Sequence, residues 1–207
     1  MGRKGLEMKQ QVLVIHGGET FKNYEEYFVY LNEKEINLDR LKPRKDWKDS
    51  LVSELGENFE VLIPRMPNGS NAQYKEWKIW FERVILLLSD GLILIGHSLG
   101  GIFLAKYLSE NEVPQKIKGT ILISAPFDTE GSDESLGDFN LPPSLLKFAE
   151  QGGKIYIIQS EDDPVVPFAQ HDKYGLALPN AKTVIFKDRG HFLQETFPEI
   201  VELIKSM

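Results

Sequence analysis

One six-residue stretch, Gly96-His97-Ser98-Leu99-Gly100-Gly101, holds residue types and spacing that could do chemistry. It follows the apolar run Leu92-Ile93-Leu94-Ile95 and leads at once into a helix-like segment, Leu99 to Glu110. A serine in a G-x-S-x-G pattern at a strand-to-helix turn has its hydroxyl lifted above the end of a sheet, where it can attack a carbonyl carbon. The turn must be sharp, so a side chain at Gly96 or Gly100 would collide with neighbouring backbone, and Ser98 is expected in a strained conformation. The helix start beneath it favours developing negative charge. The plainer reading is that Ser98 only caps the helix. The pattern alone recurs by chance in many chains; its place after a strand gives it weight.

A serine hydroxyl is a poor nucleophile at neutral pH and needs a base. There are four histidines, His16, His97, His171 and His191, and the elbow pattern puts the acid and then the histidine later in the chain. His171 lies in a polar stretch and reads as a solvated residue of a surface helix around Phe168 to Tyr174. His191, in Asp188-Arg189-Gly190-His191-Phe192, follows the last strand-like run and can stand on a loop above the sheet edge, so it is taken as the general base. The alternative role is capping the last helix. A carboxylate must fix its tautomer, and Glu161, Asp162 and Asp163 all qualify by chemistry. Asp163 is preferred, because Pro164 stiffens the turn and removes a competing amide donor; Asp162 comes second and Glu161 third.

Two backbone amides must hold the oxyanion. One is expected from Leu99, directly after the nucleophile. The other is expected from His16-Gly17-Gly18-Glu19, with Gly18 chosen and Glu19 as the fallback. His16 itself is read as a buttress of this loop.

The elements that must position these groups are legible as six β-type runs: Val12 to His16, Phe59 to Ile63, Leu92 to Gly96, Thr120 to Ser124, Lys154 to Ser160 and Lys182 to Phe186. Most are continuous apolar runs, as strands buried on both faces are. Helix-like stretches intervene at Gln73 to Leu88, Leu99 to Glu110, Leu145 to Gln151 and Thr196 to Lys205, the last with Pro198 in its first turn. Alternating strands and helices predict an α/β fold: a six-stranded, mostly parallel sheet in order 2-1-3-4-5-6, with helices on both faces. Trp77 and Trp80 are expected to pack against the sheet, and Asn68-Gly69-Ser70 to form a turn.

The order His-Gly-Gly, Gly-His-Ser-Leu-Gly-Gly, Asp-Asp-Pro-Val-Val-Pro and Gly-His-Phe resembles the α/β-hydrolase superfamily over nearly the whole chain from Val12 onward. The short length, the lack of a large cap and the two C-terminal motifs resemble the small serine hydrolases of the retinoblastoma-binding protein 9 and YdeN type. The resemblance implies a Ser-His-Asp triad on Ser98, His191 and Asp163, no cofactor, and ester or amide hydrolysis. The stretch 19–53 is longer than such compact members show.

Length and composition agree with one globular domain. The 207 residues are 42% apolar and 27% charged, with no cysteine, which excludes a disulfide scaffold, thiolate metal sites and a cysteine nucleophile. The net charge of −7 argues against nucleic-acid binding. No apolar run is long enough to span a bilayer, and residues 1–10 lack the apolar core of a signal peptide, so a cytoplasmic location is expected. Residues 1–10 read as a leader or disordered N-terminus and 11–207 as a single domain, with 19–53 and 126–145 as candidate lid or pocket-lining segments. No metal is expected. The expected partner is a small-molecule ester, with short acyl chains favoured because nothing resembles a long acyl tunnel; monomer and homodimer stay open. An amidase or peptidase using the same triad, and a non-catalytic protein-binding member of the fold, are the rival readings.

Overall fold

The computed structural model describes residues 9–131 and 135–207. Six strands form one sheet: β1 (Gln10–Ile15), β2 (Phe59–Leu62), β3 (Leu92–His97), β4 (Ile117–Ile123), β5 (Lys154–Ser160) and β6 (Lys182–Phe186). Their spatial order is β2-β1-β3-β4-β5-β6, and all five neighbouring pairs are parallel. The expected order is therefore found, with no antiparallel edge among the described residues. Strand β1 opens at Gln10, two residues ahead of its apolar run.

Period-two alternation sorts the apolar residues onto two faces. Leu13, Ile15, Leu92, Leu94 and Leu122 face one core, filled by Trp77 and Phe81 from α4 (Tyr74–Ile85) and Phe103 from α5 (Leu99–Glu110). Val12, Val14, Ile93, Ile95, Ile121 and Ile123 face the other, filled by Trp47 and Leu51 from α3 (Trp47–Leu55) and Ile200 and Ile204 from α8 (Pro198–Lys205). Both faces of the central strands are dry, which is why the strands read as unbroken apolar runs. Each large side chain so buried contributes about 1.5–3 kcal/mol. Trp77 is buried as expected, but Trp80 is exposed: it stands at the edge of the buried stripe that Trp77, Phe81 and Ile85 form on α4 rather than within it.

The stretch 19–53 contains three helices. α1 (Tyr24–Glu33) starts at Asn23, whose side chain accepts from the Glu26 N–H, and buries none of its residues. α2 (Leu38–Leu41) is a single turn. α3 begins in a capping box, Asp46 accepting from the backbone and Asp49 reaching back to the Asp46 N–H. α6 (Leu146–Gln151) and α7 (Ala169–Ala177) complete the set. His171 corrects the sequence reading. It is on a helix, but it is buried, stacked on Phe168 at 5.2 Å between ring centroids. No helix among the described residues is long and apolar enough to cross a membrane.

Candidate active site

Ser98 sits between β3 and α5 with φ 54° and ψ −123°, a left-handed backbone that a residue with a side chain adopts only under constraint. The constraint is local crowding. A Cβ on Gly96 would lie 2.5 Å from the Gly100 carbonyl oxygen, and one on Gly100 would lie 2.6 Å from that of His16 and nearer still to that of Ile15. The chain can pass here only without those side chains. Ser98 occupies the N-cap position of α5, but its hydroxyl makes no helix-capping hydrogen bond.

Above the adjoining strand ends, His191 and Asp163 meet. Nδ1 of His191 lies 3.1 Å from Oδ1 and 3.0 Å from Oδ2 of Asp163, whose side chain is fully buried. Burial acts to raise the Asp163 carboxyl. The bonds from His191 and from the Val166 and Val165 N–H groups outweigh it and hold the group below its ordinary value. An ionised Asp163 fixes the His191 proton on Nδ1 and leaves Nε2 as the basic nitrogen. Among the described residues no hydrogen bond joins Ser98 Oγ to His191; such bonds commonly tighten only once substrate is bound.

The neighbouring acid has a different task. Asp162 Oδ1 accepts from Ser160 Oγ at 2.5 Å and from the Gly190 N–H at 2.9 Å, so it ties the β5 turn to the loop that carries His191. Glu161 is exposed at this turn.

More contacts hold the same loop than the sequence suggested. The Trp47 indole N–H donates to the Phe192 carbonyl at 2.9 Å, and the Trp47 backbone N–H donates to that of Gln194 at 2.9 Å. His97 Nε2 lies 2.9 Å from the His191 carbonyl oxygen, and its Nδ1 lies 3.5 Å from Lys48 Nζ. Phe192 packs in the core with φ 51°, a second strained position beside the candidate base. Trp47, Lys48 and His97 are site residues the sequence did not disclose, because their partners lie 49 to 145 positions away.

The expected amide donors line one cavity with the serine. It encloses about 480 Å³ and is bordered by Gly18, Ser98 and Leu99. Leu99 opens α5, so its N–H has no intrahelical acceptor. The Gly18 N–H makes no hydrogen bond among the described residues, whereas the Glu19 N–H is taken by the Gly69 carbonyl at 2.9 Å, which removes the fallback. A Cβ on Gly18 would sit 2.7 Å from the same Gly69 oxygen. His16 buttresses this loop: Nε2 accepts from the Met66 N–H at 2.9 Å, so Nδ1 bears the proton and donates to the Gly17 carbonyl.

Both anticipated segments contribute walls. Glu26 and Tyr30 come from 19–53; Pro126 and Leu136 come from 126–145, of which residues 132–134 lie outside the described residues. Val165 and Val166, from the turn after Asp163, complete the apolar side.

Comparison with known proteins gives three findings. Residues 41–204 match the family model described as serine hydrolase. The chain is 30% identical over 151 residues to serine hydrolase RBBP9 of Rattus norvegicus, covering 72% of this chain and 78% of that one. Its backbone is similar to the crystal structure of the ydeN gene product from Bacillus subtilis, with a TM-score of 0.73 at 21% identity, covering 96% of this chain and 98% of that one.

Proposed function

On the premise that the chain belongs to the serine hydrolase family, we propose that it cleaves carboxylic esters through Ser98, His191 and Asp163. The observation that carries this reading is the buried Asp163 carboxylate against Nδ1 of His191, on a loop bonded to the residue that precedes Ser98. Ser98 Oγ attacks the ester carbonyl as its proton passes to His191 Nε2, and the Leu99 and Gly18 amides hold the oxyanion. Collapse of the tetrahedral intermediate leaves the acyl group on Ser98. The proton on His191 goes to the departing alcohol. A water molecule then gives its proton to His191, attacks the acyl carbon and frees Ser98.

Short acyl chains are the favoured substrates. The cavity of about 480 Å³ is in the lower half of the range for ligand sites, and its apolar side is lined by Leu99, Leu136, Val165 and Val166. The test is a series of p-nitrophenyl esters from acetate to laurate, run on wild type and Ser98→Ala. Wild-type kcat/KM should fall as the chain lengthens, and Ser98→Ala should lose on the order of 10⁴-fold or more in kcat. Preference for the long esters would overturn the short-chain assignment, and unimpaired Ser98→Ala would overturn the mechanism.

A further inference from the structure

The long stretch 19–53 ends in α3, whose first turn lies against the loop that carries His191. Lys48 there is buried, an uncommon place for an ammonium, and its Nζ pairs with Asp46 Oδ2 at 2.7 Å. On its other side Nζ faces His97 Nδ1 at 3.5 Å, and the opposite nitrogen of that ring, Nε2, is 2.9 Å from the His191 carbonyl oxygen. A carbonyl can only accept, so His97 must carry its proton on Nε2 to make that bond. Lys48 can only donate to a histidine nitrogen that is bare, and its charge opposes a proton on Nδ1. The two contacts therefore select the same tautomer.

We propose that Lys48 is a positioning residue of the hydrolytic site: by fixing His97 as the Nε2–H tautomer it sustains the His97 bond to the His191 carbonyl and keeps the candidate base in register with Asp163 and Ser98. The inference rests on the triad reading above. His97 and His191 rings stand 5.0 Å apart at 44°, so a slip of this loop moves the imidazole itself. The charged and titratable groups around the pair come from three directions. Asp46 and Asp49 flank Lys48 on its own helix, and His191 and Asp163 face His97 from the loops after β6 and β5. Burial, the Lys48 charge and His191 together push His97 well below the ordinary histidine value, which keeps its ring neutral. A neutral ring needs its tautomer chosen; a doubly protonated one would not.

The tautomer can be read directly by two-bond ¹H–¹⁵N correlation on protein labelled with ¹⁵N-histidine, where only four histidines need assignment. At pH 8 wild type should show His97 as the Nε2–H form alone. Lys48→Met should show a mixture, and Lys48→Arg, which keeps the donor, should restore the single form. In parallel, Lys48→Met should lower kcat for p-nitrophenyl acetate about tenfold with KM unchanged, the scale of one charge-assisted hydrogen bond. Adding Lys48→Met to His97→Leu should cost nothing further, because the route through His97 is already cut. An unchanged His97 signal, an unchanged kcat, or fully additive losses each overturn the proposal. If Lys48→Met does not fold, Lys48→Gln replaces it: the polar head stays, the charge is lost, and because an amide can donate to or accept from Nδ1 neither tautomer is selected, so the same readouts decide. Should Ser98→Ala hydrolyse the ester as well as wild type, the triad reading falls, while the tautomer spectrum still decides the lock.

Discussion

Asp163 Oδ2 lies 3.0 Å from Nδ1 of His191, and the carboxylate is wholly buried while the imidazole keeps about a tenth of its surface exposed. The acid is thus a fixed anchor, and the histidine is the one of the two that meets solvent. Asp163→Asn should keep the contact but hold the wrong tautomer, and kcat should drop by roughly 10³–10⁴-fold. Asp162→Asn, which weakens the links to Ser160 Oγ and the Gly190 N–H, should cost about tenfold or less. Steady-state turnover of p-nitrophenyl acetate by the two variants separates these roles.

Acid should destabilise the protein through two groups. His97 has a folded pKa well below its ordinary value of 6.5 because it is buried beside Lys48 and His191. The unfolded chain therefore takes up the proton first. The stability this neutral group contributes is complete above about pH 6.5 and falls as the pH drops from there towards the folded value. Asp163 is also held low, against the burial that would raise it, by its bonds from His191, Val166 and Val165. Its contribution is complete above about pH 4 and is lost as the pH falls through the folded value. Thermal melts from pH 8 to pH 3 should show both losses, and His97→Leu should flatten the upper one alone.

The two glycine-rich turns differ in tolerance. Gly100→Ala drives a Cβ into the backbone carbonyls of Ile15 and His16, which cannot yield, and should cost about 3 kcal/mol or more. Gly17→Ala brings a Cβ only to 3.1 Å from that of Ser98. It should cost about 1 kcal/mol or less but still slow turnover, since it crowds the nucleophile. Urea unfolding with parallel kinetics tests the contrast.

Trp47→Phe keeps an aromatic ring in the core and removes the N–H that bonds the Phe192 carbonyl. A buried carbonyl then loses its donor, which should lower stability by about 1–3 kcal/mol. Because that carbonyl belongs to the residue after His191, kcat should fall several-fold as well. A melt combined with ester kinetics would register both effects.

Local patterns in the sequence were enough to read the sheet and the elbow. Leu92-Ile93-Leu94-Ile95 is buried on both faces, so every position had to be apolar. Gly96 and Gly100 are required by backbone contacts within a few residues or on the adjoining strand. Asp163 stood out from Asp162 through Pro164, and in the structure it is the acid that meets His191. What stayed hidden depends on contacts across long stretches of chain. Trp47 and Lys48 gave no local sign of their role, because they act on the His97 and His191 region 49 and 145 positions away. His171 looked solvated in a polar stretch, yet Phe168 and the surrounding fold cover it. Trp80 follows an apolar helix pattern but falls at the edge of the buried stripe.

The most direct test is covalent labelling by a fluorophosphonate, followed by intact mass and peptide mapping. Wild type should gain one phosphonyl group, on the peptide that contains Ser98; Ser98→Ala should gain none, and His191→Ala should react far more slowly. Equal labelling of wild type and Ser98→Ala, or a label on another residue, would contradict the assignment of Ser98 as nucleophile and the account built on it.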